Sequence, residues 1–381
     1  MKSLFLIFHG RFPSEKAASL FAAKSCEAFA DLGYEVTLLA PRRLGVMRSD
    51  TYDFYGTRKN FHIVYLPTIV LFWVALFSRI GFLVSLFVFS FATWGYLLVR
   101  SNRSSIIYSN EHLPLFLASF VRKNTFYEVH DMPEQNHLFY SLLLRRIKGA
   151  IITNRWKLKK IMSVFNLPHE KLFYEPNAVE ISDFDITISK ENARTKLDIK
   201  TGGPMVLYTG HLYSWKGVDT LARATELLGS RASVYVVGGT SEDVTRFRKW
   251  FKHIANLHIV GYRSHSEIPF WQKASDVVVL PNTAKENISK YYTSPMKLFE
   301  YMASRRPIVA TDIPSIREIV DDTSAVIVSP DDPEAMVKGI VEILENDDRA
   351  KRITEKAYQD VLLHTWGKRV KRILDFLEKR N

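Results

Sequence analysis

Short apolar runs bounded by turn residues recur along this chain, and a segment of helical periodicity follows most of them. In the first half the runs are Ser3–Phe8, Glu35–Leu39, Phe61–Leu66, Ser105–Tyr108, Thr125–Val129, Ala150–Thr153 and Leu172–Tyr174. In the second they are Met205–Tyr208, Ser233–Val237, Leu257–Val260, Val277–Leu280, Ile308–Ala310 and Ala325–Val328. Between them lie helical stretches: Glu15 to Leu32, which Gly33 stops, and others near 217–229, 242–254, 266–274, 295–304 and 333–345. A helical crossover returns the chain to the same end of a sheet, so such strands pair in parallel and the helices bury both faces. The pattern predicts an α/β chain of two doubly wound, Rossmann-like lobes. The segment Pro176 to Gly203, rich in charge and poor in apolar periodicity, is expected to connect them. Open parallel sheets bind ligands beyond the carboxyl ends of their strands. Two lobes facing one another would therefore leave a cleft suited to a reaction of two substrates.

Composition narrows the setting. A chain of 381 residues with 47% apolar content has enough for two cores. The single cysteine, Cys26, excludes a disulfide framework and fits a reducing compartment. Ser3–Phe8 reads as a first strand rather than the core of a cleavable signal. The net charge of +12 is uneven: residues 1–165 carry 21 Lys and Arg against 10 Asp and Glu, leaving 31 against 30 for the remainder. The basic half implies an anionic partner: nucleic acid, acidic lipid or a phosphorylated substrate.

An apolar stretch favours lipid. Leu66–Phe77 is followed, after Ser78 and Arg79, by Ile80–Val99, which carries no charge. Twenty such residues are about enough to cross a bilayer core. Arg79, Arg100 and Arg103, with Trp73, Trp94 and Tyr96, have the character of interfacial anchors. Three readings stay open: a helix docked on the membrane but part of the fold, a wholly buried helix, and a true span. Docking is expected, because a span would put Phe61–Leu66 and Ser105–Tyr108 on opposite sides of the bilayer and break the sheet.

Three segments carry chemistry. In Tyr292-Thr-Ser-Pro-Met-Lys-Leu-Phe-Glu-Tyr-Met-Ala303, Ser294 and Pro295 read as the N-cap and first position of a helix. Its free N–H groups and dipole favour an anion. Lys297 lies in that first turn, where a cation is unfavourable unless an anion binds there. Thr293, Lys297 and Glu300 would share one face, and Glu300 could accept two ribose hydroxyls; the alternative is a Lys297–Glu300 surface ion pair. The second segment, Val206–Gly217, places Gly210 and Lys216 in a loop after a strand, where an ammonium can meet a pyrophosphate. An ordinary loop lysine is the alternative. The third, Tyr127-Glu-Val-His-Asp131, puts His130 at a strand's carboxyl end, with Glu128 or Asp131 able to fix its tautomer. The histidines form no His-Glu-x-x-His and have no cysteine cluster, so no metal site is expected. Arg155-Trp-Lys-Leu-Lys-Lys160 is basic but comes with no nucleic-acid signature, and no nucleic-acid partner is expected.

Taken together, these segments resemble family 4 of the retaining glycosyltransferases, which have the GT-B fold. His9-Gly-Arg-Phe-Pro13 sits where the family has its acceptor-side loop, and Glu128–Asp131 looks like its strand ending in the active-site histidine. Pro176-Asn-Ala-Val179 is similar to "PNGV", Gly210–Gly217 to "GRL…KG", and Ser294–Ala303 to the second carboxylate helix. Val237-Gly-Gly239 and Asn256–Gly261 match further strand ends, and Trp366 opens the helix that returns to the first lobe.

The resemblance implies domains over 1–180, joined by 366–381, and over 181–365. It implies a hexosyl-type, metal-independent, retaining enzyme acting by front-face attack. A nucleotide sugar would be held by Gly10, His211, Lys216, Tyr292, Thr293, Ser294, Lys297 and Glu300. Lys216 would meet the diphosphate and Glu300 the ribose, while His130, with Lys216, would be catalytic and contact the transferred sugar. The acceptor would be a lipid-linked saccharide or glycolipid in cell-surface glycan assembly, the enzyme resting peripherally on the anionic cytoplasmic face of the membrane. Two departures stand out: His211 replaces the family's arginine, and Tyr292 the first of its paired glutamates. A soluble GT-B transferase, an epimerase, or an inactive subunit that binds nucleotide sugar are the alternatives.

Overall fold

The computed structural model of the chain describes residues 2–43, 50–68, 78–200 and 202–380. It divides into two compact units: unit 1 is Met1–Pro176 with Trp366–Asn381, and unit 2 is Asn177–Thr365. The chain enters and leaves unit 2 at neighbouring points, where the Val179 N–H donates to the His364 carbonyl at 3.0 Å.

Unit 1 is built on β1 (Ser3–Ile7), β2 (Glu35–Pro41), β3 (His62–Leu66), β4 (Ile106–Ser109), β5 (Thr125–Val129), β6 (Gly149–Ile152) and β7 (Leu172–Tyr174). All pair in parallel, in the order β3-β2-β1-β4-β5-β6-β7. Successive side chains of a strand point to opposite faces. Ile107, Tyr127 and Val129 accordingly join one core with Phe89, Leu115, Leu143 and Ile161, which come from four crossover helices. Tyr108 and Glu128 point the other way. There Phe29, of the helix Ala17–Asp31, meets the Tyr108 ring, and the helix Trp366–Glu378 lies alongside Ala17–Asp31.

Unit 2 repeats the plan with β8 (Met205–Thr209), β9 (Ser233–Val237), β10 (Leu257–Gly261), β11 (Val277–Leu280), β12 (Ile308–Thr311) and β13 (Val326–Val328). Its parallel order is β10-β9-β8-β11-β12-β13. β8, β11 and β12 are buried along their whole length, which is why they read as continuous apolar runs.

Pro176 to Gly203 is more than a connection. It holds the short helices Ile181–Phe184 and Lys190–Lys196, and Phe184 and Ala193 are buried in the core of unit 2. Two apolar anchors set among charges were too sparse to show a helical period. The helix of the third segment also starts later than expected. Pro295 is its N-cap (φ −74°, ψ 114°), Met296 opens it, and no side chain caps it. Ser294 instead braces the approach: the Asn177 N–H donates to its hydroxyl at 3.3 Å and the Asn177 amide donates to its carbonyl. Thr293 is extended, so it does not share a helix face with Lys297 and Glu300.

Candidate functional site

In unit 2 the strand order reverses between β8 and β11, and their carboxyl ends open the crevice in which such sheets bind ligands. Glycines let the loops there approach closely. Gly210 (φ +124°) and Gly238 (φ +121°) follow β8 and β9, and a Cβ on Gly238 would lie 2.3 Å from the Gly210 carbonyl oxygen. Gly217 (φ +67°) lies against the end of β11, where its Cβ would be 2.0 Å from the Pro281 carbonyl oxygen.

The loop so formed delivers Lys216, whose ammonium lies 3.7 Å from the centre of the Trp215 ring. Burial lowers its pKa to about 7. Lys297, second residue of the helix Met296–Ala303, holds a second ammonium 3.8 Å from the centre of the Tyr208 ring, near enough to Lys216 for the two charges to interact. That nitrogen is shielded from solvent and makes no hydrogen bond to any described residue. It would stand 2.7 Å from a Cβ on Gly210. Burial drives its pKa well down; the charge on Lys216 adds to this and Glu300 opposes it. The expected alternative of a Lys297–Glu300 ion pair is therefore not what forms. Glu300 is raised by burial, against the pull of His265 and Lys297. The helix is held to β8 by Tyr301, whose buried hydroxyl accepts from the Thr209 N–H at 2.9 Å.

Two mutually repelling ammoniums, one with no hydrogen-bond partner among the described residues, stand beside a helix amino end. A cation held this way is costly, and an anion relieves the cost. His211 stacks on Tyr213 at 4.9 Å, and its carbonyl accepts from the Tyr208 hydroxyl. Tyr292 ends a π-helical turn, Ile288–Tyr292, that leads into Thr293 and Ser294. Among the described residues, no group of three or more His, Cys, Asp or Glu is placed to hold a metal ion.

Unit 1 carries Gly10 and His130. Gly10 follows β1 with no room for a side chain, since a Cβ would lie 2.3 Å from the Phe8 ring. His130 follows β5. Its ring meets Phe21 edge-on at 4.6 Å, and its Nε2 lies 3.3 Å from Glu128 Oε1. Glu128 is fully buried and accepts from the Tyr108 hydroxyl and the Arg369 guanidinium. Burial alone would raise its pKa; the Arg369 charge, the nearby His130 imidazole and the hydrogen bond from Tyr108 outweigh that and hold it at about 2. Arg369 and Tyr208 were not singled out from the sequence. Arg369 did leave a signal: it falls three residues after Trp366, on the apolar stripe of the last helix.

Of the expected membrane-contacting stretch Leu66–Val99, residues 69–77, Trp73 among them, and the Arg79 side chain lie outside the described residues. The remainder is the helix Ser78–Arg100, whose Ile80–Arg100 portion is long and apolar enough to cross a membrane by length and composition. Its polarity is reversed. Ser85, Ser90 and Thr93 face inward with Phe89 and Leu97, while Phe82, Phe87, Phe91 and Leu98 are exposed, Phe91 by 58%. A surface helix in water shows the opposite arrangement. The reading as a wholly buried helix is thereby excluded. Packing of Phe89 and Leu97 in the core, with His9 Nε2 at 3.3 Å from Ser85 Oγ, makes the helix part of the sheet's cover.

Comparison with known proteins places this geometry. Residues 203–346 match the family model for glycosyl transferases group 1. An uncharacterized glycosyltransferase of Methanocaldococcus jannaschii is 25% identical over 220 residues, covering 55% of each chain. The chain spans about half the length of the curated relatives it matches. Among solved structures, sucrose-phosphate synthase of Thermosynechococcus elongatus superposes with a TM-score of 0.80 at 16% identity, over 100% of this chain and 99% of that one. HepE of Anabaena, in complex with UDP-glucose, gives 0.77 at 14% identity over 100% of both. The chain thus has the two-domain α/β architecture of the GT-B fold, and within its second unit residues 203–346 are similar to the glycosyl transferases group 1.

Proposed function

We propose that this chain is a retaining, hexosyl-type glycosyltransferase of family 4 that needs no metal and takes its sugar from a nucleoside-diphosphate donor. The observation that carries the reading is the solvent-shielded ammonium of Lys297, which has no hydrogen-bond partner among the described residues and feels the charge of Lys216, at the amino end of the helix Met296–Ala303. In this reading the diphosphate rests on both lysines and on the backbone of Thr293 and Ser294, and Glu300 takes the ribose hydroxyls. Lys297 supplies the charge that His211 no longer does. Fixed cations and N–H groups stabilise the departing diphosphate as charge develops on it. His130 meets the transferred sugar, and Gly10 belongs to the donor-binding set. A GT-B protein solved with UDP-glucose supports a donor of this class.

The test is thermal stabilisation by a panel of UDP- and GDP-sugars. A ligand at 100 times its Kd contributes about 2.7 kcal/mol. The effect should vanish in Lys216→Ala, together with turnover. Binding should also respond to pH. With Lys216 titrating near 7, donor affinity falls as its ammonium deprotonates above that pH, approaching about tenfold per unit. Stabilisation of Lys216→Ala equal to wild type, or affinity independent of pH from 6 to 9, contradicts the assignment.

The acceptor is proposed to be a lipid-linked saccharide or glycolipid of cell-surface glycan assembly, met at the anionic cytoplasmic face of the membrane. The reversed polarity of the helix Ser78–Arg100 and the basic charge of residues 1–165 support this. Flotation with anionic vesicles tests it. Each fully buried phenylalanine contributes about 1.5–3 kcal/mol, so Phe87→Ser with Phe91→Ser should weaken association by about 100-fold or more. Neither residue lies in the core, so folding should be unaffected. Equal flotation of variant and wild type ends the membrane reading.

A further inference from the structure

A buried ion pair of unit 1 lies on the face of the sheet away from the apolar helix Ser78–Arg100. Glu128, on β5, and Arg369, in the helix Trp366–Glu378, are paired with 0% and 1% side-chain exposure. The other Glu128 oxygen accepts from Tyr108, and Arg369 Nε donates to the Pro176 carbonyl at 2.8 Å. His130 Nε2 is shielded from solvent and has no well-aligned partner; the group within its reach is Glu128 Oε1, at 3.3 Å. Behind the imidazole stands Phe21, and Trp366 of the last helix packs on Phe21 at 5.2 Å. On the backbone side, Lys157 donates to the carbonyls of Val129 and His130. Asp131, the other carboxylate next in sequence, is exposed.

A buried ion pair is weak evidence for stability, since apolar residues of equal volume often serve as well. A pair placed one contact from a functional histidine has another use. An ionised carboxylate can only accept, so the ring nitrogen facing it carries the hydrogen. We infer that Glu128 and Arg369 are positioning residues for His130: Arg369 keeps Glu128 an acceptor, and Glu128 holds the imidazole with its hydrogen on Nε2. Nδ1 is then the lone pair offered to a sugar hydroxyl. The last helix of the chain thus sets the tautomer of a residue far from it in sequence. The inference rests on the reading of His130 as the residue that meets the transferred sugar.

The experiment uses the full chain with 15N-labelled histidine, and long-range 1H–15N spectra at mildly alkaline pH. Wild type should show His130 as the Nε2–H form. Glu128→Gln alone leaves the Arg369 charge buried and is prone to unfold, so the decisive variant is Glu128→Gln with Arg369→Gln, which removes both charges. It should fold, show mixed tautomers, and lose kcat by about 10- to 100-fold with the donor KM unchanged. Asp131→Asn should keep the Nε2–H form. An Nδ1–H form in wild type overturns the inference, as does a double variant that keeps both the Nε2–H form and wild-type kcat. The spectra need no donor, so a chain that transfers no sugar would fail the proposed function while leaving the tautomer readable.

Discussion

Lys297→Met is expected to make the protein more stable and nearly inactive at once. The ammonium of Lys297 has no hydrogen-bond partner among the described residues and is repelled by the charge of Lys216. Leaving a buried polar group unsatisfied costs about 1–3 kcal/mol, more when it is charged. Methionine has a similar reach and keeps contact with the Tyr208 ring through its sulfur. For a unit of this size each kcal/mol moves Tm by about 2–4 °C, so the variant should melt several degrees higher. Turnover should fall by about 10²–10³-fold, the usual effect of removing one charge-stabilising donor.

The pH dependence carries the same signature. Both lysines have folded pKa values below their unfolded ones, so between about 7 and 10.5 the unfolded chain binds more protons. Stability therefore rises with pH across that window, and Lys297→Met should flatten the rise. Differential scanning calorimetry with a steady-state assay reads all three effects. A variant that is less stable than wild type yet fully active would show that this lysine serves the fold.

How much of this was legible beforehand depended on how local the cause is. Val277–Leu280 is buried on both faces and bounded by Asp276 and Pro281, so four residues sufficed to mark β11. The helix Pro333–Glu345 begins with an aspartate cap and a proline, both short-range signals, and its limits were read without error. The start of the helix Met296–Ala303 was misplaced by one residue because its determinant is distant. Asn177, more than a hundred positions earlier, takes up the hydroxyl of Ser294 that would otherwise have served as a cap. The ammonium of Lys297 could be suspected from its place in a first turn. Its lack of a hydrogen-bond partner could not, because that depends on Tyr208 and Gly210 arriving from β8. Arg369 is the clearest loss. An arginine on an apolar stripe is ordinarily one that extends to water. Only the fold reveals that a glutamate from the middle of a strand waits there instead.

Gly217→Ala should cost more than its size suggests, because the obstruction is the backbone of Pro281 and Thr283. The added Cβ would lie 2.0 Å from the Pro281 carbonyl oxygen, 2.9 Å from its carbon and 3.2 Å from the Thr283 nitrogen. No rotamer change relieves this contact, because a Cβ is fixed by its own backbone and the atoms it meets are main-chain. Non-glycine residues at positive φ cost about 1–2 kcal/mol, and overpacking adds about 1–3, so a loss of about 2–5 kcal/mol is expected. Gly56→Ala separates the two parts, since that glycine is also left-handed (φ 58°, ψ 42°) but has nothing within 4 Å of its Cβ position. It should lose only the conformational part. Relief at Gly217 would have to come from moving the loop, and Lys216 precedes it directly. Nucleotide-sugar stabilisation should therefore disappear even under conditions where the variant stays folded. Urea unfolding of the two variants, with and without a nucleotide sugar, makes the comparison. If Gly217→Ala loses no more stability than Gly56→Ala and still responds to the nucleotide sugar, then the close approach to β11 is not what places Lys216.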